Sequence, residues 1–561
     1  MKSLLRLLPC LALTALAWAS SSEVRAAEAK PPAARIDEVF AAYAKPGSPG
    51  CALAVIERGK TVYERGYGLA NLEHGVPITP RTVFDLGSTS KQFTAAAILL
   101  LAKDGKLSLD DDVRKHVPEV PDYGTPITIR HLLHHTSGLR DYIEVMVLGG
   151  FQFEDWTTDR DALAALSRQR ALNFRPGEEH SYSNSGYFLL SVIAERASGK
   201  SLGDFARERI FAPLDMASTE VLNDHTRVVP GRATGYAPRE GGFGVAMSNW
   251  EQTGDGAVQS TVLDLAKWDQ NFYAPKVGGE WLIAELQQTG TLNDGQAFPY
   301  ARGLAVDKYR GLRRVRHGGA WAGFRAELVR FPEERLSVAT LCNLASANPS
   351  ALAMRVAELY LADRLGPVEA PPPAPAVAAA VTVDASRYAG LYWSEEAGVV
   401  RRVVAREGKL FYQRAPGNET ELVPLGGETF TMVGAPPGTE LVFSTPEAGG
   451  GRRLETRSPG APAMRLEAVE PFAPDAAGLA AFAGAYASDE LNTTVRLSVV
   501  EGKLRLELER GAPLDLEPVF TDTFRGPDIG LVRFTRDDEQ RVSGFEISAG
   551  RAQNLRFTRL E

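Results

Sequence analysis

The apolar positions of this chain change period along its length, and the changes mark its elements. From Phe93 through Ala95, Ala96, Ala97, Ile98, Leu99, Leu100 and Leu101 they are almost continuous, and Gly105 follows. That is the pattern of a buried helix closed by a glycine cap. A second such run, Phe188 to Ala194, ends at Gly199, and Ile36 to Ala44 fits a first helix. Cys51 to Tyr63 reads as two strands joined by a turn at Arg58-Gly59-Lys60. Gly303–Val306, Ala326–Phe331 and Leu336–Leu344 read as further strands.

Beyond Ala380 the period falls to two. Val495-Arg-Leu-Ser-Val and Leu504-Arg-Leu-Glu-Leu alternate strictly, and Gly-Lys turns separate such runs, which predicts antiparallel meanders closing into small barrels. The pattern occurs twice. Tyr388-Ala-Gly-Leu-Tyr392 matches Phe482-Ala-Gly-Ala-Tyr486, and Glu407-Gly-Lys-Leu410 matches Glu501-Gly-Lys-Leu504. Pro424 with Pro518 and Phe430 with Phe524 keep the same spacing of 94 residues. A constant register of this kind marks two copies of one module. The Pro/Ala-rich stretch Ala370–Ala380 before them has the composition of a semi-rigid linker.

Composition sets outer limits. A chain of 561 residues is too long for one core, and 44% hydrophobic with 24% charged residues is ordinary for a soluble protein. A formal net charge of −8, with no basic run, argues against nucleic acid as a partner. Lys2 and Arg6 precede an apolar run, Leu7–Ala19, and small residues follow it. This is the layout of a signal peptide, and the run is too short to span a bilayer. The expectation is a periplasmic or secreted protein with no transmembrane anchor after cleavage, near Ala19 or near Ala26 and Ala27. Of three cysteines, Cys51 and Cys342 lie beyond that leader, in strand-like runs. Export permits a disulfide between them, and two buried thiols fit equally well.

Three stretches carry candidate chemistry. Ser88-Thr-Ser-Lys91 places a hydroxyl and an amine at the start of the first buried helix, one turn apart on one side. A helix N-terminus and burial both lower an ammonium pKa, and a neutral lysine can take the serine proton. Tyr182-Ser-Asn184 sets a phenol and an amide two residues apart, for proton transfer and for holding a substrate carbonyl. Arg314 to Arg325 contains His317-Gly-Gly-Ala320, where glycines let a ligand approach a strand edge and a backbone N–H can serve an oxyanion. His131, His134 and His135 share one helical face, and no further ligand residue accompanies them, so they are read as packing and hydrogen-bonding groups.

Taken together and in this order, Ser88-x-x-Lys91, Tyr182-x-Asn184 and His317-x-Gly319 resemble the motifs of the penicillin-recognising serine hydrolases, in the group of class C β-lactamases, D-alanyl-D-alanine carboxypeptidases and D-aminopeptidases. The resemblance implies an α+β fold, an antiparallel sheet flanked by helices, and here two small antiparallel barrels after it. The expected divisions are a signal peptide at 1–27, the hydrolase domain at 35–365, a linker at 366–381 and barrel modules at 382–470 and 476–561. By the same resemblance Ser88 is acylated, Lys91 and Tyr182 share proton transfer, Asn184 positions the substrate amide, and the amides of Ser88 and Ala320 form the oxyanion hole. The expected partner is a small-molecule or short-peptide substrate, and no metal or organic cofactor is implied.

Many relatives carry lysine where this chain has His317, and a mostly neutral imidazole is a weaker anchor for a β-lactam carboxylate. That favours amides of D-amino-acid peptides, with a carboxylesterase or a slowly acylating penicillin-binding sensor as alternatives. Arg140, Tyr142, Trp156, Arg316, Trp321 and Arg325 are further candidates to face substrate, and a barrel loop is expected to reach over the Ser88 cleft.

Overall fold

Strand-forming runs from the two ends of the first 365 residues meet in one sheet. A computed structural model describes residues 33–367, 384–445, 451–458, 461–527 and 529–561. Cys51–Glu57 pairs antiparallel with Leu336–Cys342, inside a six-stranded sheet. On one side lies Lys60–Tyr67; on the other follow Phe324–Phe331, Leu312–Trp321 and Ala305–Tyr309. Alternation along Cys51–Glu57 and Leu336–Cys342 sorts their side chains into two cores. Ala52, Ala54, Ala339 and Leu341 face the core that holds the helices Lys91–Lys103, Asn184–Ser198 and Val262–Gln270, the last lying directly against these two strands. Cys51, Leu53, Val55, Val338 and Cys342 face the helices Ala33–Val39 and Pro349–Leu361. Both faces are covered, which is why these strands read as unbroken apolar runs. Cys51 and Cys342 stand directly opposite each other and form a disulfide.

Two expected boundaries shift. The strand read from Gly303 begins at Ala305, because Gly303 has a positive φ of 75° and lies against the Lys91 backbone. A Cβ there would come within 2.7 Å of the Lys91 carbonyl carbon. The first helix runs Ala33–Val39 and continues as a short tighter turn, Ala41–Tyr43.

Each copy of the repeat closes into a barrel of eight antiparallel strands, one from Gly390 to Val469 and one from Gly484 to Arg559. The repeated residues have repeated jobs. Tyr392 Oη donates to the Tyr388 carbonyl at 2.7 Å, and Tyr486 Oη to the Phe482 carbonyl at 2.8 Å. Glu407-Gly408 and Glu501-Gly502 all take positive φ (52°, 74°, 50° and 75°), the left-handed pair that a tight two-residue hairpin requires. The segment expected to be a signal peptide and most of the expected linker lie outside the described residues. Among those described, no helix is long and apolar enough to cross a membrane.

The second barrel sits against the sheet domain, and one apolar core runs through both: Leu491, Tyr486 and Leu555 belong to the same cluster as Leu133 and Val145. The first barrel meets the second through a small patch of Leu391, Val400 and Val519, beside the ring pair Trp393–Phe520.

Candidate active site

Ser88 lies on a tight helical turn, Gly87–Ser90, that leads into the helix Lys91–Lys103; it precedes that helix instead of opening it. Asp85 sets up the turn by accepting from the Gly87 N–H at 2.7 Å, and Gln259 Nε2 holds its other oxygen at 2.7 Å. The strand Leu312–Trp321 comes down onto this turn, and two glycines permit the approach. A Cβ on Gly319 would lie 1.9 Å from the Leu86 carbonyl oxygen, and one on Gly87 would lie 2.7 Å from the Ala320 nitrogen. Ser88 and Ala320 thereby line the same wall of a cavity of about 1110 Å³.

Lys91 is fully buried behind Ser88. Its Nζ donates to Ser88 Oγ at 3.0 Å, to Asn184 Oδ1 at 2.9 Å and to the Asp255 carbonyl at 2.7 Å, so each proton has an acceptor. Burial pulls its pKa down to about 8, against the opposing pull of the carboxylates of Asp255 and Asp141. Asn184 opens the helix Asn184–Ser198, and its N–H is fixed by Asp141 Oδ2 at 2.8 Å. Asp255 is itself pushed up to about 7 by burial, with the Lys91 charge opposing.

The Tyr182 ring lies 4.9 Å below the Lys91 ammonium. Burial pushes the pKa of its hydroxyl well above that of a free phenol, with a hydrogen bond to Ser88 pulling the other way. Tyr182 is therefore a neutral phenol, able to pass a proton on, and the lysine is the group poised to accept one. His317 is buried as well and held down to about 3, first by burial and then by Lys91. Its Nε2 is 3.0 Å from Tyr300 Oη and its Nδ1 2.6 Å from the Gly318 carbonyl, so both ring nitrogens are engaged.

The structure brings Ser88, Lys91, Tyr182, Asn184, His317, Gly319 and Ala320 to one place. Of the other candidates, Tyr142, Trp321 and Arg325 line the cavity. Arg140 does not: it is buried against Glu490 of the second barrel. Arg316 turns to Asp307, and Trp156 is exposed. His131 and His135 each accept from a backbone N–H, that of Thr128 and of Ser183, which accords with a hydrogen-bonding role.

Four participants escaped the sequence reading: Asp141, Asp255, Tyr300 and Arg551. Nothing in the sequence aims the Asp255 carbonyl at Lys91. Arg551 comes from the second barrel, at the tip of the hairpin formed by Val542–Ala549 and Ala552–Arg559. Its guanidinium pairs with Glu144 at 3.1 Å and Asp141 at 3.4 Å, and sits 5.8 Å over the Tyr182 ring.

This chain has relatives. Residues 36–363 match the family model described as Beta-lactamase. A D-aminopeptidase of Gluconobacter oxydans (strain 621H) is 35% identical over 53% of this chain and 56% of its own length. The chain thus spans little more than half of that relative. Penicillin-binding protein 4* of Bacillus subtilis (strain 168) is 31% identical over 67% of this chain and 86% of its own. Among solved structures, the octameric penicillin-binding protein homologue from Pyrococcus abyssi superposes with a TM-score of 0.52 at 23% identity, covering 85% of this chain and 97% of that one.

Proposed function

The chain belongs to the Beta-lactamase family, whose members matched above include hydrolases, and we propose that it forms an acyl-enzyme at Ser88 and cleaves amide bonds in small D-amino-acid peptides or related substrates. The observation that carries the reading is the position of Lys91: a fully buried amine 3.0 Å from the Ser88 hydroxyl, whose pKa burial lowers toward the range of a working base.

In the proposed cycle Ser88 Oγ attacks the carbonyl carbon as its proton passes to Lys91 Nζ. The developing oxyanion is met by the N–H groups of Ser88 and Ala320. These are backbone donors held rigidly by the close contact at Gly87 and Gly319. The C–N bond breaks as the leaving nitrogen takes a proton from Lys91, relayed by the neutral Tyr182 hydroxyl. Water then adds to the acyl carbon, giving up a proton by the same route, and the acid leaves with Ser88 restored. Asn184, fixed by Lys91 and by Asp141, orients the acyl side.

The preference for D-amino-acid amides is carried over from the relatives' names and from the neutral His317, which offers no cation to a β-lactam carboxylate. Export to the periplasm or beyond belongs to the same proposal. It is supported by the N-terminal pattern and by the Cys51–Cys342 disulfide, a bond that persists in oxidising compartments. Intact-mass analysis after a fluorophosphonate or a penicillin probe, with Ser88→Ala as control, tests the reading. One adduct on the native chain and none on the variant is expected; no adduct on the native chain would reject Ser88 as nucleophile. Penicillin labelling with slow release points to a peptidase, and labelling by the fluorophosphonate alone to the esterase.

A further inference from the structure

His135, Tyr300 and His317 stand in a hydrogen-bonded row whose direction is fixed by counting protons. The Ser183 N–H donates to His135 Nδ1 at 3.2 Å. A neutral imidazole that accepts at Nδ1 carries its proton on Nε2, and His135 Nε2 lies 3.1 Å from Tyr300 Oη. At the far end, His317 Nδ1 lies 2.6 Å from the Gly318 carbonyl. A carbonyl only accepts, so that nitrogen bears the proton and Nε2 is left as an acceptor, 3.0 Å from the same Tyr300 oxygen. Tyr300 therefore accepts from one ring and donates to the other, with the Tyr187 hydroxyl as a further neighbour of its oxygen.

We propose that Tyr300 and His135 are positioning residues, which tie the Tyr182 loop to the Gly318–Ala320 strand and hold His317 as the Nδ1–H neutral tautomer. The row starts at Ser183, next to Tyr182, and ends at Gly318, two residues before the backbone N–H assigned to the oxyanion. It spans the two elements whose separation decides whether an attacked carbonyl fits. The same rings also hold the phenol: His135 packs on Tyr182 at 4.1 Å between centroids, and Tyr300 meets it edge-on at 6.1 Å. Inverting the row would set a His135 Nδ1–H against the Ser183 N–H and leave His317 Nδ1 and the Gly318 carbonyl as two acceptors facing each other. The surroundings press the same way. Lys91 and Arg316 face His317; Lys91, His180 and His317 face His135; and both imidazoles are held well below their ordinary pKa, with burial the largest cause. His317 acts here as a buttress for the strand, where many relatives present a cation.

The inference rests on the Ser88 reading, and two measurements separate the two. First, nitrogen-15 spectra of histidine-labelled protein report each ring's tautomer without reference to activity. His317 as neutral Nδ1–H and His135 as neutral Nε2–H, unchanged between pH 5 and 8, is expected; the opposite tautomer, or titration of His317 near pH 6, overturns the row. Second, Tyr300→Phe keeps the ring and removes the link. With rates normalised to fluorophosphonate-titrated sites, kcat is expected to fall roughly tenfold, less than the loss of a whole oxyanion donor. KM should change little, and a new acidic limb should appear as His317 regains a titration. A native-like kcat per site with an unchanged pH profile would overturn the positioning role, and a purely structural role would alter only the titrated fraction. If the native chain is not labelled, the Ser88 reading falls, while the spectra still decide the row.

Discussion

Arg140 of the sheet domain and Glu490 of the second barrel close an ion pair at 2.5 Å with 1% and 4% of their side chains exposed. The rest of the contact is polar and specific: Arg140 also donates to Gln169 Oε1 and to the Asn554 carbonyl, and the Arg170 N–H donates to Glu490. Removing one member of a buried pair strands the other charge. Glu490→Gln should therefore cost roughly 3–5 kcal/mol of stability. Chemical denaturation would show it, as a lower midpoint or as earlier melting of the barrel; an unchanged midpoint would mean that Arg140 finds water or another acceptor.

The same contact changes how the barrel's influence on the site is tested. Cutting the chain at 382 would uncover Arg140 and the apolar cluster shared with the barrel, so the truncated protein would lose stability along with any gate. Arg551→Ala is the local alternative. The tip of the hairpin would retreat from the cavity wall, and Asp141 and Glu144 would lose their shared cation. The expected result is a rise in kcat/KM for longer peptide amides relative to a short one. An unchanged ratio across a length series would mean that the tip does not limit substrate size.

Much of this molecule is written in local pattern. The apolar runs at 93–101 and 188–194 gave the two helices beside the site because each is buried on nearly all sides. The barrels were legible because a repeat carries its own register, down to the paired Glu-Gly turns and the tyrosines that bond back four residues. What pattern does not carry is contact between distant segments. The Asp255 carbonyl reaches Lys91 across 164 residues, and Arg140 meets Glu490 across 350. No periodicity encodes either. Cys51 and Cys342 were equally compatible with thiols until the strand register placed them face to face.

Gly319→Ala probes the oxyanion wall directly. The added methyl would lie 1.9 Å from the Leu86 carbonyl oxygen, and that neighbour is backbone, which cannot swing aside. The strand must lift from the Ser88 turn, carrying the Ala320 N–H with it. A fall in kcat of about 10²–10³-fold is expected, the size seen when one oxyanion donor is lost. The comparison that checks it is Gly318→Ala, where the nearest atom to the new methyl is the Glu327 carboxylate end at 3.0 Å and the strand can stay in place. Equal losses in the two variants would count against the oxyanion assignment.

The last prediction concerns pH, and its sign follows from which form of Lys91 works. Only the neutral amine can take the Ser88 proton, and deprotonation proceeds as pH rises through about 8. Below that value kcat/KM should climb about tenfold per pH unit and then level off, because each unit multiplies the neutral fraction by ten while the ammonium dominates. Asp255, at about 7, interacts with the lysine, so the observed midpoint belongs to the pair. Its negative charge stabilises the ammonium and so raises the lysine pKa. Asp255→Asn removes that charge while keeping the backbone carbonyl that holds Nζ, so the rising limb should move to lower pH. Lys91→Arg stays charged throughout and should lose about 10²–10⁴-fold with no limb at all. A limb that moved to higher pH in Asp255→Asn would mean that a different group supplies the base.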